Sequence, residues 1–137
     1  MGWQEYPLDA GRILQYRVNS SVCVFLGSRP GFRPEHLESV KALGRALVLR
    51  KFDLVYGGAH VGLMGALADT VIHEGGRVTG IIPRSLENRE IAHRGLSKLY
   101  VVESMSERKK LMSELSDAFV TTSGGLGTLD EFFEMVT

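Results

Sequence analysis

Phe52-Asp53-Leu54-Val55-Tyr56-Gly57-Gly58-Ala59-His60-Val61-Gly62-Leu63 is the stretch that decides the fold. A short run of mostly apolar, β-favouring residues, Phe52 to Tyr56, passes straight into a glycine-rich turn. Beyond the turn a helix is expected from about Leu63 to Glu74. Strand, glycine turn and helix in that order form the repeating unit of a parallel sheet.

Working outward, the unit recurs on both sides. Upstream, Val22-Cys23-Val24-Phe25-Leu26 ends at Gly27-Ser28-Arg29-Pro30-Gly31, as a buried strand ends in a turn. Pro34 then suits the first turn of a helix whose Leu37, Val40, Gly44, Leu47 and Val48 share one face, and which ends near Lys51. Downstream, Arg77 to Ile82 reads as a strand ending at Pro83, Leu86 to Gly95 as a polar connection, and Lys98 to Val102 as a strand. Ser104 to Leu115 reads as a helix and Ala118 to Thr122 as a fifth strand. Ser123-Gly124-Gly125-Leu126-Gly127-Thr128 then opens a last helix with Leu129, Phe132, Phe133 and Val136 on one face.

Continuous apolar strands, rather than alternating ones, are what a sheet buried on both faces requires. The expected fold is therefore α/β: a Rossmann-like open parallel sheet with helices on both faces, in one domain over residues 21–137. Residues 1–20 show no clean period and are expected to form an N-terminal arm. The last helix stops after one or two turns, so a C-terminal truncation that removes the final βα unit is also expected.

The bulk numbers narrow the function. The 137 residues suit one domain, and 44% hydrophobic with 23% charged residues is a globular composition. Sixteen basic residues balance sixteen acidic ones, so no overall positive field exists to draw in nucleic acid, although a local phosphate site remains open. Cys23 is the only cysteine; it excludes an internal disulfide and a multi-cysteine metal site, and fits a cytoplasmic location. No signal-peptide pattern and no run near the roughly 20 apolar residues of a spanning helix is present, so no membrane partner is expected. Gly2 does not make a myristoylation site, because Tyr6 stands where Ser or Thr is needed.

In open parallel sheets ligands sit beyond the carboxyl ends of the strands, where the loops with Ser28, with Gly57 to Gly62 and with Ser123 to Thr128 gather. In the last of these, glycines let backbone amides approach an anion and the helix start adds unpaired N–H groups, which suits a phosphomonoester. The plain alternative is a tight strand-to-helix turn. The Gly57 to Gly65 loop fails as a dinucleotide fingerprint, since Ala59 holds the middle glycine's place and no acidic residue ends the following strand. Both loops cradling parts of one smaller nucleotide is the sharper reading, with Gly58, Gly62, Gly124, Gly125 and Gly127 as contacts.

Arg108 is the most informative single residue. At about 100° per residue it falls in the middle of the arc spanned by Met105, Leu111, Met112 and Leu115, with Glu107, Lys109 and Glu114 outside it. An inward guanidinium costs several kcal/mol unless a carboxylate or phosphate meets it; the alternative is a side chain snorkelling to the rim. Glu131 completes a capping box with Thr128, yet the first turn of its helix faces the same crevice, so capping and catalysis compete for one carboxylate. His60 is a substrate contact or merely solvated. His36, His73 and His93 have no spacing for a shared metal, and neither a metal nor a cofactor is expected.

Three motifs in order, Tyr56-Gly57-Gly58-Ala59-His60-Val61-Gly62-Leu63-Met64-Gly65, Met105-Ser106-Glu107-Arg108-Lys109 and Gly124-Gly125-Leu126-Gly127-Thr128-Leu129-Asp130-Glu131, resemble the Lonely Guy family of cytokinin-activating phosphoribohydrolases. The resemblance runs from Val22 to Thr137. It implies cleavage of N6-substituted adenosine 5′-monophosphates, or AMP, into free base and ribose 5-phosphate. It also implies Arg108 and Glu131 as the catalytic pair, with Glu90, Lys109, the Gly125 to Thr128 loop and Thr137 lining the substrate, and a homodimer or larger assembly. Elementary chemistry agrees: positive charge develops on the sugar, a carboxylate stabilises it and orients water, and an adjacent arginine keeps that carboxylate ionised. Ser123 departs from the family, which usually has Pro before the double glycine. The runner-up reading is a non-catalytic module of the same fold that binds a nucleotide or another phosphate compound. A pyridoxal-phosphate decarboxylase comes third, with no lysine or pyridine partner identifiable.

Overall fold

The computed structural model describes residues 19–26, 34–87 and 91–122. Five strands, β1 (Ser21–Phe25), β2 (Asp53–Tyr56), β3 (Val78–Pro83), β4 (Lys98–Val102) and β5 (Ala118–Thr121), pair in parallel in the order β4-β3-β2-β1-β5. Between them run α1 (Pro34–Leu49), α2 (Gly62–His73), the single-turn α3 (Arg84–Glu87) and α4 (Met105–Leu115). This is the expected α/β parallel sheet.

Alternation along β1 divides the core in two. Val22, Val24 and Leu26 pack with Val40 and Leu47 of α1 and with Leu63, Leu67 and Val71 of α2. Cys23 and Phe25 join Val55, Ile81, Tyr100 and the α4 residues Leu111, Met112 and Leu115 on the opposite side. The inner strands β1, β2 and β3 are thus covered on both faces, which is why they are largely apolar, whereas the edge strand β5 is only partly buried. The expected α1 face holds: Val40, Gly44 and Leu47 are buried, and a Cβ at Gly44 would stand 3.0 Å from Thr70 Cγ2 of α2. That glycine lets the two helices approach.

Both long helices on this side end in the same backbone device. After α1, the Lys51 N–H donates to Val48 O at 3.0 Å and the Phe52 N–H to Leu47 O at 2.9 Å, with Lys51 at φ 60°. After α2, Gly75 and Gly76 repeat the pattern toward Ile72 and Val71, with Gly75 at φ 87°. Two reverse hydrogen bonds closing over a left-handed residue are a Schellman ending. The helices stop there because the next strand must begin.

Element bounds differ from the sequence expectation by a residue or two, with β3 starting at Val78 rather than Arg77. One correction is larger. The stretch from Leu86 to Gly95 is not a purely polar connection: Arg84–Glu87 is helical, and Ala92 is 3% exposed, paired antiparallel with Ala59. Among the described residues no helix is long and apolar enough to cross a membrane.

The chain steps from β1 outward through β2, β3 and β4, then returns to the other flank of β1 as β5. β1 and β5 pair from Val22↔Ala118 to Phe25↔Thr121, and the Thr122 N–H extends the pairing to Phe25 O at 3.0 Å. The carboxyl ends of β1 and β5 therefore mark the switch point where an open parallel sheet binds its ligand.

Candidate functional site

α4 delivers Arg108 to the sheet. Ser104 caps its amino end, accepting the Glu107 N–H at 3.1 Å, while the Glu107 carboxylate accepts the Glu103 N–H at 2.8 Å. That Ser-x-x-Glu box fixes the first turn. One turn on, Arg108 faces inward with Leu111, Met112 and Leu115, and it is 7% exposed. Rim snorkelling is thereby excluded. Met105 departs from the expectation: it is 45% exposed, although its sulfur lies 3.9 Å from Arg108 Nη1.

The guanidinium docks on backbone. Arg108 Nε donates to Ile81 O of β3 and Nη2 donates to Gly57 O just past β2, each at 3.0 Å. Carbonyl dipoles solvate the cation and fix its plane. They hold it at the carboxyl ends of two strands, β2 and β3.

Gly57 must be glycine for this. A Cβ there would overlap Arg108 Nη2 outright and stand 2.5 Å from Met64 Cε. Gly58 follows at φ 82°, where a Cβ would meet Ile82 Cβ and Leu99 Cδ1 at 3.3 Å. Gly62, at φ 56°, opens α2.

The turn between them is anchored on its other side. Tyr56 is fully buried and its hydroxyl donates to Ala59 O at 2.8 Å. Burial, with the Asp69 carboxylate adding to it, pushes the phenol well above its ordinary range, so it remains a donor. The His60 N–H donates to Ile91 O at 2.9 Å and the His93 N–H to Gly58 O at 2.8 Å, clasping residues 58–60 to 91–93. The Gly95 N–H donates to His93 Nδ1 at 2.9 Å, which leaves the ring proton on Nε2, 2.6 Å from Asp69 Oδ1 on α2. Arg94 and Glu87 close the base of the same excursion at 2.9 Å.

Of the residues singled out from sequence, Arg108, Gly58 and Gly62 gather around this turn, Lys109 lies half-buried beside Arg108, and His60 is exposed. Ser28, Glu90, Gly124, Gly125, Gly127, Thr128, Glu131 and Thr137 lie outside the described residues, and with them the expected Arg108–Glu131 pair. Sequence reasoning missed Tyr56, Asp69 and His93 as parts of the turn. The only local signal was the Tyr-Gly-Gly step itself.

The family profile described as possible lysine decarboxylase matches residues 64–137. The cytokinin riboside 5′-monophosphate phosphoribohydrolase of Rhodococcoides fascians is 49% identical over 118 residues, which is 85% of this chain and 60% of that protein. Its Arabidopsis thaliana counterpart LOG7 is 44% identical over 116 residues, 85% of this chain and 54% of the relative. The chain thus spans little more than half the length of these curated relatives. Among solved structures, the molybdenum cofactor binding protein of Rippkaea orientalis superposes with a TM-score of 0.73 at 23% identity, covering 87% of this chain and 71% of that one. At that identity the likeness speaks for the fold alone. Profile and relatives agree with the three sequence motifs, and the chain belongs to the Lonely Guy family, the group described as possible lysine decarboxylases.

Proposed function

We propose that the protein hydrolyses the N-glycosidic bond of adenosine 5′-monophosphates, with or without an N6 substituent, to free base and ribose 5-phosphate. The observation that carries this reading is Arg108: a buried guanidinium fixed on the carboxyl ends of β2 and β3, within a chain 44–49% identical to named phosphoribohydrolases. In this reading Arg108 and Glu131 act as the catalytic pair. The carboxylate stabilises the cationic sugar and orients water, and the arginine holds the carboxylate in place. Phosphate bound at Gly124, Gly125, Gly127 and Thr128 supplies remote binding energy that positions the ribose. Ser28, Gly58, Gly62, Glu90, Lys109 and Thr137 complete the contacts.

The same reading includes a cytoplasmic homodimer or larger assembly, with one catalytic domain over residues 21–137 and an arm over 1–20. The test is to incubate purified protein with AMP and with isopentenyladenosine 5′-monophosphate and to measure free base. Release that disappears in Arg108→Ala and Glu131→Ala, with nucleotide binding retained, supports hydrolysis. Binding without release in the unaltered protein makes it a nucleotide-binding module instead.

A further inference from the structure

The turn that holds Arg108 is itself held by groups on the opposite face of the sheet. Tyr56 belongs to the core under α1 and α2, whereas Arg108 comes from α4 beyond the other face. The phenol is therefore placed to act on the arginine only through the backbone between them. We propose that Tyr56, with the His93–Asp69 pair, is a positioning residue for Arg108: it locks the 57–60 turn, and the turn aims the Gly57 carbonyl at the guanidinium.

The need for a lock follows from the sequence. Gly57-Gly58 is the most freely rotating step a chain can contain, and a carbonyl on it would swing unless tied down. Three ties surround it. Tyr56 Oη closes residues 56–59 into a ring through Ala59 O at 2.8 Å. The His93 N–H fixes Gly58 O at 2.8 Å. The His93 ring, bridged to Asp69 at 2.6 Å and to the Gly95 N–H at 2.9 Å, ties the 91–93 segment to α2. Gly57 O, between these ties, receives Arg108 Nη2 at 3.0 Å. The effect on turnover rests on the catalytic reading of Arg108, while the effect on its geometry does not.

Tyr56→Phe keeps the ring and removes the first tie; His93→Gln removes the third, the imidazole bridge to Asp69 and Gly95, and serves if the first variant folds poorly. The Arg108 Nε–H resonance of ¹⁵N-labelled whole protein, assigned by its loss in Arg108→Lys, reports the docking directly. The expected result is a shifted resonance with solvent exchange at least about fivefold faster, and kcat lowered about tenfold with KM changed less than about twofold. In an Arg108→Lys background Tyr56→Phe should then change kcat by less than about twofold, since both act on one element. An Arg108 resonance and exchange rate unchanged in both variants overturns the proposal, as does full additivity with Arg108→Lys. A moved resonance with undiminished turnover leaves the positioning role standing and overturns the catalytic reading of Arg108.

Discussion

Gly57→Ala tests the site with a single carbon. The added Cβ overlaps Arg108 Nη2, stands 3.3 Å from Arg108 Cζ and lies 2.5 Å from Met64 Cε. Met64 ends in a flexible thioether and can turn away, but the guanidinium is pinned at Ile81 O and must slide by about 1 Å or give up Gly57 O. A hydrogen bond to a charged group contributes about 1.5–3 kcal/mol, so stability should fall by about 2 kcal/mol, or roughly 4–8 °C in Tm for a domain of this size. A displacement of about 1 Å at a reacting group costs about a hundredfold in kcat. Differential scanning fluorimetry and base-release kinetics on Gly57→Ala read both quantities. Once Arg108 is truncated the overlap disappears, so Gly57→Ala in an Arg108→Ala background should cost less than about 1 kcal/mol. A Gly57→Ala protein with kcat within about twofold and Tm within about 1 °C of the parent would refute the docking geometry.

Other consequences concern stability. Because the Tyr56 phenol is held protonated by burial while the unfolded chain ionises at its ordinary 10.0, stability present below pH 10 is lost as pH rises beyond it. The expected slope from this group is about 1.4 kcal/mol per pH unit, seen as falling urea midpoints above pH 10 in the parent and a flatter profile in Tyr56→Phe. Ser104→Ala removes the α4 cap and should cost about 1 kcal/mol by chemical denaturation. Lys51→Gly places glycine at the left-handed Schellman position and should stabilise by roughly 1 kcal/mol, raising Tm by a few degrees.

How much of this was legible in the sequence depends on the range of the forces involved. The alternation of strands and helices, the α1 face and the inward aim of Arg108 follow from local periodicity, and the structure bears them out. Met105 misled because periodicity gives the angle around a helix but not how much of that arc is covered. The 86–95 stretch misled because Ala92 is buried by pairing with Ala59, a partner 33 residues away that no window of sequence reveals. For the same reason the two carbonyls that Arg108 reaches, Ile81 O and Gly57 O, were not foreseen, since every residue offers the same backbone carbonyl. Strand order, too, was not derivable: nothing local to Ala118–Thr121 says that it must lie beside β1.

That placement bears on how the molecule is made. Residues 21–25 leave the ribosome well before residues 118–121, so one of their two edges stays open until the later strand has been synthesised. At typical synthesis rates of about 5–20 residues per second, the ~95 intervening residues take some 5–20 seconds. During that interval the nascent chain carries an unsatisfied row of amides and carbonyls flanked by Val22, Val24 and Phe25, the kind of edge that recruits other chains. The slow, distant closure of β1 by β5 should be the step at which chaperone dependence and translation speed govern the yield of native protein.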